Sequence, residues 1–344
     1  MEVTPTTPKL DLPLQTRISL AVIGMYIDFT QKKNGTVRRR IANIFPPRDP
    51  APVDDTINSY DVVVNPTSNI WFRVYIPKGH KIEDLPLFAY FHGGGYSLLS
   101  ADVKMYDDLC TDLAVKFPCV VVSADYRLAP EKKYPTQYQD GIEVLKFLDN
   151  PENLAKCGLE NANISRCFIA GDSSGGNLAH SVNLSACLTK FEQLKVVGLV
   201  TIQPFFGGEE RTKSEIELDF KVPFLNTQRT DLFWKALMPE GEEYNRDHPS
   251  INVSGPRAVD ITKLDYPETM LVVGGFDVLK DWQIKYYEWL QESGKKVHLV
   301  NYPNMFHDFC SFPELPEYEQ LIIEMREFVY KLFNKSKKGM TTNA

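Results

Sequence analysis

Short, almost wholly apolar runs recur along the chain at residues 87–91, 120–124, 168–171, 197–202, 270–274 and 297–302. Between them lie stretches with helical spacing of apolar positions, at 104–116, 140–149, 177–190 and 281–294, and a last one at 317–333. Strands that are apolar on both sides belong inside a sheet covered by helices on both faces, which makes the sheet mostly parallel. Two alternating runs ahead of them, 60–64 and 70–76, predict an antiparallel pair leading into the sheet. The pattern is therefore that of one large α/β domain.

Two segments depart from this alternation. Residues 1–13 are rich in proline and threonine and read as a loose tail. Residues 14–29 carry Ile18, Val22, Met25 and Phe29 at helical spacing, a stripe that a lone helix would not leave in water. Asn34-Gly35 and Pro46-Pro47 then break the chain. The prediction is a helical lid laid by this stripe over a pocket. Residues 207–253 interrupt the strand–helix alternation and are expected to form an inserted cap. The organisation expected is a tail and lid over 1–50, then one domain over 51–344.

Composition narrows the function. Of 344 residues, 43% are hydrophobic and 24% charged, which excludes wholesale disorder, and the net charge of −7 argues against a nucleic-acid surface. Arg38-Arg39-Arg40 is too short to change that and reads as a solvated turn. Six cysteines (110, 119, 157, 167, 187 and 310) lack metal-ligand spacing and read as small apolar residues in a reducing compartment. The start of the chain lacks a secretory layout, and the best apolar run, 18–27, is too short to span a membrane. The expectation is a protein of the cytoplasm, or of cytoplasm and nucleus, with no membrane or nucleic-acid partner. Nothing in the sequence speaks to oligomeric state.

Gly171-Asp172-Ser173-Ser174-Gly175 lies between a predicted strand and a predicted helix. A serine on such a turn is pushed out of the sheet end, glycines permit the close backbone approach, and the helix start offers amides to a developing oxyanion. His92-Gly93-Gly94-Gly95 follows another strand, where glycine amides can face a cavity with no side chain in the way. A serine needs a base, and the base a carboxylate, in the chain order acid then histidine. His307 falls between the last strand and the last helix and is the best base. His180 sits too far along its helix, His298 reads as a sheet-face residue, His92 as loop packing, and His248 as a pocket-lining candidate. Asp277, directly off a strand end, is favoured as the acid over Asp281, which reads as a first-turn helix acid. Asp308 is expected to point away. Phe29, Phe233 and Trp234, with Tyr96, Phe205, Phe206 and Phe306, suggest an apolar pocket.

These motifs, with Asp125-Tyr126-Arg127-Leu128-Ala129-Pro130-Glu131 and Pro204-Phe205-Phe206-Gly207-Gly208, resemble plant carboxylesterases of the hormone-sensitive-lipase branch of α/β-hydrolases. That group also contains the gibberellin receptor, and the likeness, lid included, covers nearly the whole chain. It implies an α/β-hydrolase fold with Ser173 as nucleophile, Asp277 as acid and His307 as base. It implies Gly93, Gly94, Gly95 and the Ser174 amide as oxyanion hole, and Tyr96, Phe205, Phe206 and Phe306 as pocket. Ser174 stands where the family often has alanine, but only its amide is needed. The loop 125–131 is then structural. The implied activity is hydrolysis of small apolar esters through an acyl-serine, without metal or organic cofactor. A cyclase or lyase on the same residues, or a ligand-binding receptor, are the alternatives. Receptors of this group lack the histidine and its dehydratases carry threonine at the serine, so His307 and Ser173 favour the esterase.

Overall fold

The computed structural model describes residues 10–341. Its eight strands are β1 (Ile57–Asn65), β2 (Ile70–Pro77), β3 (Pro86–Phe91), β4 (Val120–Asp125), β5 (Asn163–Asp172), β6 (Val196–Ile202), β7 (Glu268–Phe276) and β8 (Val297–Phe306). They form one sheet in the order β1-β2-β4-β3-β5-β6-β7-β8. The β1–β2 and β2–β4 pairs are antiparallel and the rest parallel. The predicted strands are all present, most of them longer than their apolar runs, because polar residues at strand ends still pair.

Among the described residues ten α-helices accompany the sheet: α1 (Leu14–Thr30), α2 (Arg39–Ala42), α3 (Lys104–Lys116), α4 (Thr136–Asp149), α5 (Pro151–Lys156), α6 (Ser173–Leu188), α7 (Lys213–Leu218), α8 (Thr227–Leu237), α9 (Lys280–Glu292) and α10 (Pro316–Thr341). Each strand serves two cores. On β3, Leu87, Ala89 and Phe91 pack toward α4, α6 and α9, whereas Phe88 and Tyr90 pack toward α3 and α10. This two-sided burial is why the central strands read as continuous apolar runs. Edge strand β8 has water on part of one face, so its burial alternates. Four of the six cysteines are fully buried and all six are free. Among the described residues no helix is long and apolar enough to cross a membrane.

Residues 207–253 add no strand and contribute α7 and α8. Helix α1 lies beside α8, held by an Arg229–Asp28 ion pair at 2.7 Å and by Arg229 Nη2 donating to the Gly24 carbonyl at 3.1 Å. Thr16 Oγ1 donates to Glu314 Oε1 at 2.8 Å at the other end of the helix. The basic cluster is more than a solvated turn. Arg39 pairs with Glu131 at 2.7 Å and donates to the Ser97 and Ala129 carbonyls, both at 2.7 Å, tying the front segment to two loops of the domain.

The predicted inward stripe of α1 faces outward. Ile18, Val22, Met25 and Phe29 are 57, 39, 62 and 58% exposed, while Thr16, Leu20, Gly24, Ile27 and Thr30 are buried. Two residues along a helix is about 200° of rotation. This helix is apolar on most sides, so periodicity alone could not choose its buried face. Leu20→Ala should therefore raise amide exchange across α1 by at least tenfold, as loss of a buried leucine costs about 2–5 kcal/mol. Met25→Ala should leave exchange within about threefold, as exposed positions contribute ±0.5 kcal/mol. Hydrogen-exchange mass spectrometry of both variants decides which face holds α1 in place.

Candidate active site

The turn from β5 into α6 holds Ser173 at φ +49°, a left-handed backbone that a serine rarely adopts. It closes because Gly171 and Gly175, two residues to either side of Ser173, have no side chains. A Cβ at Gly171 would lie 2.3 Å from the Gly175 carbonyl oxygen, and one at Gly175 would lie 2.0 Å from that of Phe91. The Phe205 amide fastens the turn by donating to the Ser173 carbonyl at 2.8 Å.

The turn brings Ser173 to His307, whose Nε2 is 2.9 Å from Ser173 Oγ. The other ring nitrogen, Nδ1, is 2.8 Å from Asp277 Oδ2. Asp277 is fully buried, yet both its oxygens accept hydrogen bonds. Oδ1 accepts the Leu279 amide at 2.9 Å, and Oδ2 accepts Gln283 Nε2 at 2.9 Å and Gln203 Nε2 at 3.2 Å. Burial by itself would push the His307 imidazole down. The Asp277 carboxylate in contact, with Asp308 and Asp172 nearby, overcomes this and raises it above its ordinary value.

Gly94 and Gly95, at φ +101° and +60°, line a cavity of about 440 Å³ that also contains Ser173 and His307. Neither amide has a hydrogen-bond partner among the described residues. A side chain at Gly95 would fall 2.2 Å from the Phe233 ring. The Ser174 amide, in the first turn of α6, has no intrahelical partner. Gly93 differs from the expectation, because its amide already donates to Tyr106 Oη at 2.7 Å. The cavity walls are Ile23, Tyr26 and Ile27 of α1 with Phe205, Phe224 and Phe233.

Of the four aromatics expected in the pocket, Phe205 lines it. Phe206, its neighbour on an extended segment, turns the other way onto Tyr286, with ring centroids 4.8 Å apart. Phe306 alternates with His307 and packs on Phe312 at 5.2 Å. Tyr96 lies behind the glycine loop, its hydroxyl 3.0 Å from that of Tyr138. His248 does not line this cavity either: it stacks with Tyr244 and accepts or donates at Ser250 Oγ, 2.7 Å away.

His180 is bonded to Tyr266 and Tyr286, and burial lowers it to about 3. His92 packs flat on Tyr126, its Nδ1 2.8 Å from the Gly93 carbonyl, and burial lowers it to about 4. His298 pairs with Glu268 on the sheet edge. Asp281 accepts the Ser214 amide at 2.7 Å and holds α7 to the start of α9. Asp308 does not leave the site. Its left-handed backbone donates its amide to Gln203 Oε1 at 2.8 Å and leaves the residue lining the cavity. Burial, foremost, raises the carboxyl groups of Asp308 and of its neighbour Asp172. Gln203, Gln283, Phe224 and Tyr106 were not anticipated. Each carries no local motif, and only the approach of distant segments gives it a role.

Residues 88–311 match the model of a family with the α/β-hydrolase fold. The chain is 34% identical over 337 residues to a gibberellin receptor of Arabidopsis thaliana, covering 93% of this chain and 95% of that one. It is also 34% identical over 295 residues to the 3-O-acetylpapaveroxine carboxylesterase of Papaver somniferum, covering 79% and 88%. Among solved structures it superposes on an ester hydrolase from the metagenome of Lake Arreo, complexed with a derivative of bipyridine phosphonate. That match has a TM-score of 0.74 and 26% identity, over 94% of this chain and all of the other.

The contact with Asp277 makes a titration prediction. The His307 imidazole should titrate above its ordinary 6.5, and Asp277→Asn should bring the midpoint down, while Asp281→Asn leaves it in place. Because the folded value is raised, the associated stabilisation is full below pH 6.5 and is lost as pH rises through the folded midpoint. Imidazole nitrogen NMR across pH 4–9 on the three proteins measures it.

Proposed function

The chain belongs to the α/β-hydrolase fold family, and from that premise we propose that it is a serine carboxylesterase hydrolysing esters of small apolar metabolites through an acyl-serine. The observation that carries this reading is the continuous Ser173–His307–Asp277 hydrogen-bond chain facing an apolar cavity. The carboxylesterase relative and the ester-hydrolase structure support it.

Ser173 Oγ attacks the ester carbonyl as its proton passes to His307 Nε2. The imidazolium so formed keeps its Nδ1–H on Asp277, whose charge is held in place by the Leu279 amide and two glutamines. The carbonyl oxygen becomes an anion where the Gly94, Gly95 and Ser174 amides are free to donate. His307 returns the proton to the departing alcohol. It then removes one from the water that attacks the acyl-serine, and the acid leaves with Ser173 restored. Walls built from Ile23, Tyr26, Ile27, Phe205, Phe224 and Phe233 suit an apolar group, and one relative is named for an O-acetyl ester. The unpaired cysteines accord with work in the reducing cytoplasm.

A receptor-like role has the gibberellin receptor relative in its favour. The geometry weighs against it, because a binding protein has no use for a serine strained into hydrogen-bond contact with a carboxylate-paired histidine.

Ser173→Ala should lower turnover of p-nitrophenyl butyrate by about 10⁴-fold or more with an unchanged melting curve. An organophosphonate should label the peptide that contains Ser173. Label elsewhere, or near-parental turnover in the variant, would end the esterase assignment.

The lid supplies a separate test. Tyr26→Ala should raise KM for a naphthyl ester several-fold and leave p-nitrophenyl acetate unaffected, since only the larger ester reaches α1. Equal changes for both esters would show that α1 does not contact substrate.

A further inference from the structure

The proposed reaction needs two distant segments to keep one geometry: the turn that presents Ser173 and the loop that offers Gly94 and Gly95. One phenol bonds to both an amide of the loop and the carboxyl group beside the serine. Tyr106, in the first turn of α3, is fully buried. Its Oη accepts the Gly93 amide at 2.7 Å and donates to Asp172 Oδ2 at 2.8 Å. An amide N–H can only donate, so the phenol oxygen accepts the Gly93 amide and places its own proton on the carboxyl group. Asp172 directly precedes Ser173, and its Oδ1 accepts Tyr90 Oη at 2.7 Å. The contact is close throughout. A Cβ at Gly93 would fall 2.3 Å from Asp172 Oδ2 and 2.8 Å from Tyr106 Oη.

We propose that Tyr106 is a positioning residue for ester hydrolysis, its hydroxyl bridging Asp172 and the Gly93 amide so that the oxyanion loop stays in register with the nucleophile. This rests on the esterase reading above. Tyr106 touches none of the reacting atoms. It acts by holding the Gly93 amide, which sets the orientation of the next two amides, and misplacement of such donors by about 1 Å costs on the order of a hundredfold in rate. Other anchors keep the loop folded without it. Tyr126 Oη donates to the His92 carbonyl at 2.7 Å, and Arg39 holds the Ser97 carbonyl at 2.7 Å. Loss of the bridge therefore loosens the loop more than it unfolds the domain.

Tyr106→Phe, in the full chain, removes the bridge at nearly constant volume. Tyr90→Phe is the control, since it strips a phenol from the same carboxyl group without touching the loop. With p-nitrophenyl butyrate, Tyr106→Phe should lower kcat ten- to a hundredfold with KM within twofold, and Tyr90→Phe should change kcat less than threefold. A trifluoromethyl ketone, which adds to the serine as a tetrahedral oxyanion, should lose affinity for the Tyr106 variant by the same factor as kcat. If that variant does not fold, glycolic acid in place of Gly93 removes the same bond from its other side and should give the same losses. Unchanged kcat and ketone affinity would overturn the proposal, even with a lowered melting temperature, as would an equal kcat loss in Tyr90→Phe. An inactive parent protein would overturn the esterase reading, and this inference with it.

Discussion

A serine held in a left-handed turn between two glycines is the constraint from which the rest of the site follows. Such a backbone costs on the order of 1–3 kcal/mol and persists only where its surroundings over-determine it. Here the strand before it is paired on both sides, and Gly171 and Gly175 are in contact across the turn. Phe205 bonds the Ser173 carbonyl, and Asn177 behind it donates to the Phe205 and Ser250 carbonyls, both at 2.8 Å. The sheet end is thereby joined to the segment that carries Phe205 into the cavity.

Two buried acids beside this turn are handled in opposite ways. Asp277 receives donors from a backbone amide and two glutamines and contacts the histidine, so both its oxygens are held by groups fixed in the fold. Asp172 receives two phenols but faces a second acid, Asp308, and burial beside a like group drives it toward its neutral form. One acid thus holds the His307 ring, while the other serves as a hydrogen-bonding post between the serine turn and the glycine loop. The same side chain does different work according to which partners the fold supplies.

The front segment adds the outer wall. Helix α1 contributes Ile23, Tyr26 and Ile27 to the cavity, and is held by Arg229 at the Gly24 carbonyl and Asp28, with Arg39 fastening the chain beyond it. Its latch is polar and its cavity face apolar. A helix with so many apolar residues needs polar latches to choose one orientation, because burial favours several nearly equally.

Much was already determined by the order of residues. The doubly apolar runs required a covered parallel sheet, and the glycines around Ser173 and after His92 marked the two loops at its carboxyl end. The chain order of Asp277 and His307 after the serine singled out the residues that the fold brings within hydrogen-bond distance. These features were legible because each depends on local backbone needs or on strand order. Other features had no local signature. Which face of α1 is buried depended on Arg229, some two hundred residues away, since the helix's own periodicity fits both faces. That Gly93 is bound to Tyr106, that Phe206 and Phe306 turn away from the cavity, and that Gln203 and Gln283 hold Asp277 were decided by packing between distant segments. A side chain's partner across space is set by the tertiary arrangement of the whole sheet and its helices, and neighbours in sequence carry no record of it.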